Sequence, residues 1–170
     1  MLTVREERPA DIEAIRVLNQ QAFGQLLEGR LVDALRSNRG FILSLVAALN
    51  DEIVGHILFS PAIVRSDREQ ISGAGLGPMA VLPEHQRQGI GGKLIEAGKQ
   101  KLRDLGCPFV VVVGHPEYYP RFGFEPASRY GIRCEWDVPD DVFMMLIMDQ
   151  SRMAGVSGLA EYRREFSTAR

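Results

Sequence analysis

Met79-Ala-Val-Leu-Pro-Glu-His-Gln-Arg-Gln-Gly-Ile-Gly-Gly-Lys93 joins the end of a strand to the start of a helix, and its reading decides the fold. The strand-like segment begins near residue 72 and runs to 82, and Pro83 to Gly89 is a polar turn. A helical pattern then runs from about Gly91 to Leu105, with Leu94, Ile95, Gly98, Leu102 and Leu105 on one face. Gly106 suits the left-handed position after a helix end. The first N–H groups of a helix have no partner inside it. Gly89, Gly91 and Gly92 remove Cβ atoms where those donors point, so an anion can approach the backbone, and the helix dipole adds about 0.3–1 kcal/mol per charge. Arg87 and Lys93 add local positive charge. The same glycines would also serve a tight connection that binds nothing.

Spacing excludes two common phosphate loops. A Walker A loop needs Gly where Arg87 stands and Ser or Thr where Leu94 stands. A dinucleotide fingerprint needs its third Gly at Leu94 and belongs to the first strand of its fold. The preceding strand narrows the choice. Gly73, Gly75 and Gly77 alternate, which bares one face of that strand, and Pro78 lacks the N–H a central strand needs, which predicts a bulge or local opening. Met79, Ala80 and Val81 would then offer backbone groups to an extended ligand. A bared strand leading into an anion-binding turn suits a long ligand with amides at one end and a pyrophosphate at the other, the shape of coenzyme A.

Outward from this unit, Phe109 to Val113 is an unbroken Phe/Val run typical of a strand covered on both faces, and strand-helix-strand order implies a parallel pair with a right-handed crossover. Upstream, Pro9 to Phe23 and Leu27 to Leu35 carry helical apolar stripes, and Phe41 to Leu49 and Ile53 to Val64 form a hairpin about Asn50-Asp51. Phe122 to Phe124 and Val142 to Met148 read as further strands, with Pro126 to Asp141 irregular and the tail 149–170 weakly informative. No repeat or linker interrupts the pattern. The expectation is a single α/β (α+β) domain, residues 1–170, with a mixed sheet.

Composition agrees. The 170 residues are 45% apolar and 25% charged, and 20 Lys and Arg against 22 Asp and Glu leave a net charge of −2. No basic field exists to hold nucleic acid or an anionic membrane, so any anion must be caught locally. The longest strictly apolar run, Val142 to Met148, falls far short of the roughly 20 residues of a membrane span. The amino-terminal residues lack a signal-peptide pattern, which predicts a cytoplasmic protein with no membrane partner. Cys107 and Cys134 form no ligand spacing and read as reduced thiols, with no metal expected.

Gln86-Arg-Gln-Gly-Ile-Gly91 resembles the Gln/Arg-x-x-Gly-x-Gly/Ala motif of the GNAT superfamily of N-acetyltransferases. Gly-His-Pro-Glu-Tyr-Tyr-Pro-Arg-Phe-Gly-Phe, residues 114–124, resembles a second segment found in the small bacterial YhbS-like branch, as does the hairpin Val54-Gly-His-Ile-Leu-Phe-Ser60. The likeness covers about residues 3–148. It implies a central sheet of about six to seven strands with a splayed central pair and about four helices. It further implies direct transfer of an acetyl group from acetyl-CoA, a cosubstrate, to an amine of a small molecule or protein, by a monomer or homodimer that binds no nucleic acid.

On that resemblance Met79, Ala80, Val81, Gln86, Arg87, Gln88, Gly89, Ile90, Gly91, Gly92, Lys93, Tyr119 and Phe122 bind the cosubstrate. The backbone of Met79 and Val81 polarises the thioester carbonyl. Tyr119 is the general acid, since an ordinary tyrosine pKa of about 10 suits a thiolate leaving group whose own lies at roughly 8.5 to 10. Tyr118 reads as a packing residue and Arg121 as a surface charge. Many relatives carry a Glu base on the glycine-bearing strand, but residues 72–78 hold no carboxylate, which leaves His56 and Glu28 as candidate bases. His56 alternates with Val54 and Leu58, and a lone strand histidine is more often a packed, hydrogen-bonded residue. The missing carboxylate leaves an alternative, a CoA-binding sensor or partner module without catalysis.

Overall fold

Helices form where the apolar repeat is 3.6 residues, strands where it is two or unbroken. A computed structural model of the chain describes residues 1–168. Helix α1 (Ile12–Phe23) buries Ile15 and Leu18, and α2 (Leu27–Ser37) buries Val32 and Leu35. Gly24 ends α1 with φ +68°, the left-handed cap that favours glycine. Strands β1 (Leu2–Glu6), β2 (Leu43–Leu49), β3 (Glu52–Arg65) and β4 (Gln70–Val81) precede helix α3 (Ile90–Asp104) and strand β5 (Phe109–Val113). Then come β6 (Glu125–Pro126), β7 (Ile132–Cys134), β8 (Phe143–Ile147), α4 (Gln150–Met153), β9 (Gly158–Glu161) and α5 (Arg164–Thr168).

The chain divides into two compact units. The first comprises Met1–Phe59, Gly77–Gln100 and the segment from Arg164, and the second Ser60–Leu76 and Lys101–Arg163. In the first unit β1, β2 and the start of β3 form an antiparallel ladder, with Val4 opposite Ala47 and Val46 opposite His56. Helix α3 lies close against β3 because both contribute a glycine. A Cβ on Gly98 would stand 2.4 Å from the Phe59 ring, and one on Gly55 would stand 3.0 Å from Ile90 and 3.1 Å from Leu94.

In the second unit β4 runs parallel to β5, as strand-helix-strand order predicts, but the ladder covers Ala74↔Val110 and Gly75↔Val111 and goes no further among the described residues, although β4 continues to Val81. Strand β5 is antiparallel to β8 along its whole length, and β8 carries β6 on its other side. Strand β9 pairs with the outer end of β3, Ile63 opposite Glu161, and in parallel with β7.

Nine strands and five α-helices form among the described residues, more than the six to seven and four expected. The surplus lies in short pieces of two to five residues at 125–134 and 150–168, too brief to show a period and held by partners distant in sequence. Phe122 to Phe124 is not a strand. Tyr119–Phe122 is a 310 turn and Gly123 follows at φ +95°, so the strand starts at Glu125. The glycine stripe of β4 also differs from its reading. A Cβ on Gly73 would lie 2.6 Å from the Phe109 ring, and one on Gly75 would lie 2.6 Å from the Tyr162 ring. Aromatic side chains of this same chain fill the bared face at both positions.

Candidate active site

In the first unit the glycine-rich turn is built by a change of backbone hand. Pro83–His85 is a single 310 turn and Gln86 is extended. Arg87 then takes φ +64° and Gly89 φ +82°, and α3 starts at Ile90. The Lys93 N–H donates to the Gly89 carbonyl at 3.1 Å, so the donors of Ile90, Gly91 and Gly92 precede the first turn of helical bonding. Gln86 folds back, its Nε2 donating to the Val81 carbonyl at 3.0 Å, and the Leu82 N–H donates to the Val54 carbonyl at 2.9 Å. The turn is thereby tied to the end of β4. Gln86, Arg87, Gln88, Gly89 and Lys93 are exposed and Gly91 and Gly92 half-buried. A Cβ on Gly89 would meet nothing within 4 Å, so the space in front of this turn is open, as an approaching phosphate requires.

The neighbouring positions divide by face. Met79 and Val81 are half-buried, whereas Ala80 is buried and Ile90 turns its side chain into the core against Gly55. Ile90 can therefore serve a ligand through its backbone alone. Glu28 lies half-buried in the first turn of α2, its carboxylate accepting from Gln25 Nε2 at 3.0 Å on both oxygens. His56 sits elsewhere. It is 0% exposed, with Nδ1 3.3 Å from Asn19 Nδ2 and Nε2 2.9 Å from Ser44 Oγ. The Ser44 hydroxyl in turn donates to Glu7, which Arg36 holds at 2.8 Å. Burial, and secondarily the Arg36 charge, push the His56 pKa down to about 3.

In the second unit Tyr119 is 8% exposed and its ring lies on the backbone of Gly114, where a Cβ would come within 2.3 Å of it. Tyr118 and Phe124 meet it edge-on, ring centres 5.1 Å and 5.7 Å away. Burial, with Tyr118 adding to it, raises the Tyr119 hydroxyl well above the usual phenol range. Phe122 is half-buried with its ring 5.2 Å from that of Tyr118. The turn closes on its own backbone, the His115 carbonyl accepting from Tyr118 N–H at 3.1 Å and Gly114 N–H donating to Val142 at 2.9 Å.

Two features had escaped the sequence reading. Gly114 is the seat of Tyr119, a role its place between a Val run and a histidine does not advertise. Arg121 is exposed, as a surface charge is, and its guanidinium carbon also lies 4.6 Å from the Tyr118 ring centre. Arginine two or three residues from a Tyr pair is the signal that would have pointed to it. Cys107 and Cys134 are free thiols, and no helix among the described residues is long and apolar enough to cross a membrane.

Residues 40–126 match the family profile of the acetyltransferase (GNAT) domain. The chain is 32% identical over 167 residues to the uncharacterized N-acetyltransferase YhbS of Escherichia coli K12, covering 98% of this chain and 99% of that protein. It is 39% identical over 135 residues to the uncharacterized N-acetyltransferase YjhQ of the same strain, covering 78% of this chain and 75% of that one. Among solved structures it matches the E. coli YhbS acetyltransferase in complex with CoA at a TM-score of 0.92 and 32% identity, over 98% of this chain and 92% of that chain. A GNAT family acetyltransferase from Brucella melitensis in complex with acetyl-CoA matches at 0.80 and 35% identity, over 98% of both chains. In profile, in sequence along nearly its whole length and in fold, the chain belongs to the GNAT family of acetyltransferases.

Proposed function

We propose that this chain is an N-acetyltransferase that moves the acetyl group of acetyl-CoA directly onto the nitrogen of an amine, on a small molecule or a protein. The observation that carries the reading is the open turn at Gln86–Gly92, whose backbone takes the left-handed region at Arg87 and Gly89 immediately before α3. That two similar proteins were solved with CoA or acetyl-CoA supports it. The turn N–H groups, with Arg87 and Lys93, hold a pyrophosphate. When bound, acetyl-CoA supplies an activated thioester. The backbone N–H groups of Met79 and Val81 polarise its carbonyl, stabilising the negative charge that grows on the oxygen.

Tyr119 gives the leaving sulfur its proton. An ordinary phenol is already protonated at neutral pH, so the donor is loaded; burial raises Tyr119 further and makes it a weaker acid than a free tyrosine, and Phe122 forms part of the apolar wall beside it. Of the two bases, Glu28 is the one an acceptor can reach, drawing in the alkylammonium by charge and passing its proton to water. His56, wholly enclosed and bonded at both ring nitrogens, takes a structural role.

The test is Tyr119→Phe, which keeps the ring on Gly114 and removes only the hydroxyl. With acetyl-CoA and a panel of amines, release of free thiol measures turnover. Turnover by the variant should fall about 100-fold, with the Kd for acetyl-CoA within twofold of wild type. Tight acetyl-CoA binding with no turnover on any amine would replace the proposal with a CoA-binding module.

A further inference from the structure

Within the first unit a closed polar circuit joins α1 and α2 to β2, β3 and the end of β1. From α1, Asn19 Nδ2 donates to His56 Nδ1 on β3 at 3.3 Å, and His56 Nε2 lies 2.9 Å from Ser44 Oγ on β2. The Ser44 hydroxyl donates to Glu7, just past β1, and Glu7 also accepts from Arg36 of α2 at 2.8 to 3.3 Å. Arg36 Nη1 stands 3.6 Å from Asp33, also on α2. Asp33 accepts from Arg16 Nε at 2.8 Å, which returns the path to α1 one turn before Asn19. Acetyl transfer gives this circuit no task of its own.

Asn19, Ser44 and His56 are buried, so their polar groups give up water to be there. Apolar residues would hold two helices on a sheet as firmly, but their contacts have no direction and let a helix slide or turn, whereas directed hydrogen bonds favour one placement. The element placed is α2. Glu28 lies in its first turn, about 12 Å along the same helix from Arg36. The neighbour of Glu28 meets the circuit at its other end, since a Cβ on Gly29 would lie 3.3 Å from the Arg16 carbonyl oxygen. Arg36 therefore holds α2 near its end, and Arg16 holds it beside Glu28. We infer that Ser44 and His56 are positioning residues for Glu28: through Glu7 and Arg36 they set where α2 presents that carboxylate to the acceptor amine. The inference rests on the acetyl-transfer reading for what Glu28 does, and on the circuit alone for how Glu28 is held.

Two measurements test it. The first compares ¹H–¹⁵N amide shifts of wild type and Ser44→Ala, which removes one oxygen from a strand and should fold. The Glu28 and Gly29 amides should move, although neither residue touches Ser44, and Ser44→Thr, which restores the hydroxyl, should return them towards wild type. The second measures turnover with phenethylamine, putrescine and Nα-acetyllysine amide as acceptors. In Ser44→Ala the kcat/KM for the amine should fall about tenfold while the Kd for acetyl-CoA moves less than twofold. In a Glu28→Gln background the same substitution should cost less than twofold, because the group it positions is already gone. Arg16→Gln, which opens the circuit at a half-buried residue on its other side, should reproduce the pattern.

Shift changes confined to Glu7, Arg36 and His56 would overturn the inference. So would a loss in Ser44→Ala that is just as large in the Glu28→Gln background, or one shared by acetyl-CoA affinity, because the circuit would then serve stability alone. A chain that acetylates none of the three amines yet shows the Glu28 and Gly29 shifts would count against the acetyl-transfer reading and leave the positioning of α2 standing.

Discussion

His56 shows how burial decides what an ionisable side chain can do. Asn19 Nδ2 is a donor, so His56 Nδ1 accepts, and the remaining ring N–H donates to Ser44, whose hydroxyl donates onward to Glu7. The network fixes a neutral imidazole in one tautomer. At pH 7 the histidine is neutral in the folded chain and mostly neutral in the unfolded one. As pH falls below the unfolded pKa of about 6.5, the unfolded chain binds a proton that the folded chain, with its pKa near 3, refuses, so stability is lost. Between pH 7 and pH 5 this group alone should cost about 2 kcal/mol. Urea unfolding at the two pH values should show that loss in wild type and not in His56→Gln; equal losses would mean that the ring titrates freely in the folded protein. The alternation of Val54, His56 and Leu58 is legible in the sequence, but the partners that close both ring nitrogens come from α1 and β2, which pattern alone cannot pair.

At the scale of elements, the turn before α3 was the most legible part of the molecule. Its glycines and the following 3.6-residue repeat are local signals, and Ile90–Asp104 agrees with the expected helix within a residue at either end. Strand β5 was equally plain, a Phe/Val run with no competing reading. The segment 119–126 was not, because Phe-Gly-Phe looks like strand alternation, while Pro120 and the left-handed Gly123 impose a 310 turn that only the ring packing explains. Gly89→Asp tests the turn. Its site is open, so the variant should fold, at a strain cost of about 1 kcal/mol for the positive φ, while the carboxylate repels the pyrophosphate. Calorimetry should show acetyl-CoA affinity down at least tenfold, and an unchanged Kd would move the site elsewhere.

Across the whole molecule, the tail that carried least information in sequence proves to be structural. Strand β9 extends the ladder of β3, Tyr162 fills the space over Gly75 and stacks on Trp136 with ring centres 4.9 Å apart, and α5 brings Phe166 near Gly77. The glycines at 73 and 75 were legible as a bared face, but what covers it was not, since Tyr162 lies far along the chain. Gly75→Ala should cost about 1–3 kcal/mol by forcing Tyr162 aside, and Tyr162→Ala about 3–5 kcal/mol. The double variant should be more stable than the sum predicts, by about 1–2 kcal/mol, because the added methyl then occupies vacated space. Urea unfolding of the four proteins measures this coupling; strict additivity would show that the ring and the glycine do not meet.

The same contact sets a clock on synthesis. Gly75 and the ring that covers it are 87 positions apart, so at about 5–20 residues per second the ribosome delivers Tyr162 about 4 to 17 s after the strand it must cover. Throughout that interval Gly75 stays bare and β9 is not yet made. A nascent chain halted there would present an unprotected strand to chaperones and proteases, which makes residues 158–166 the segment that commits the polypeptide to its mature packing.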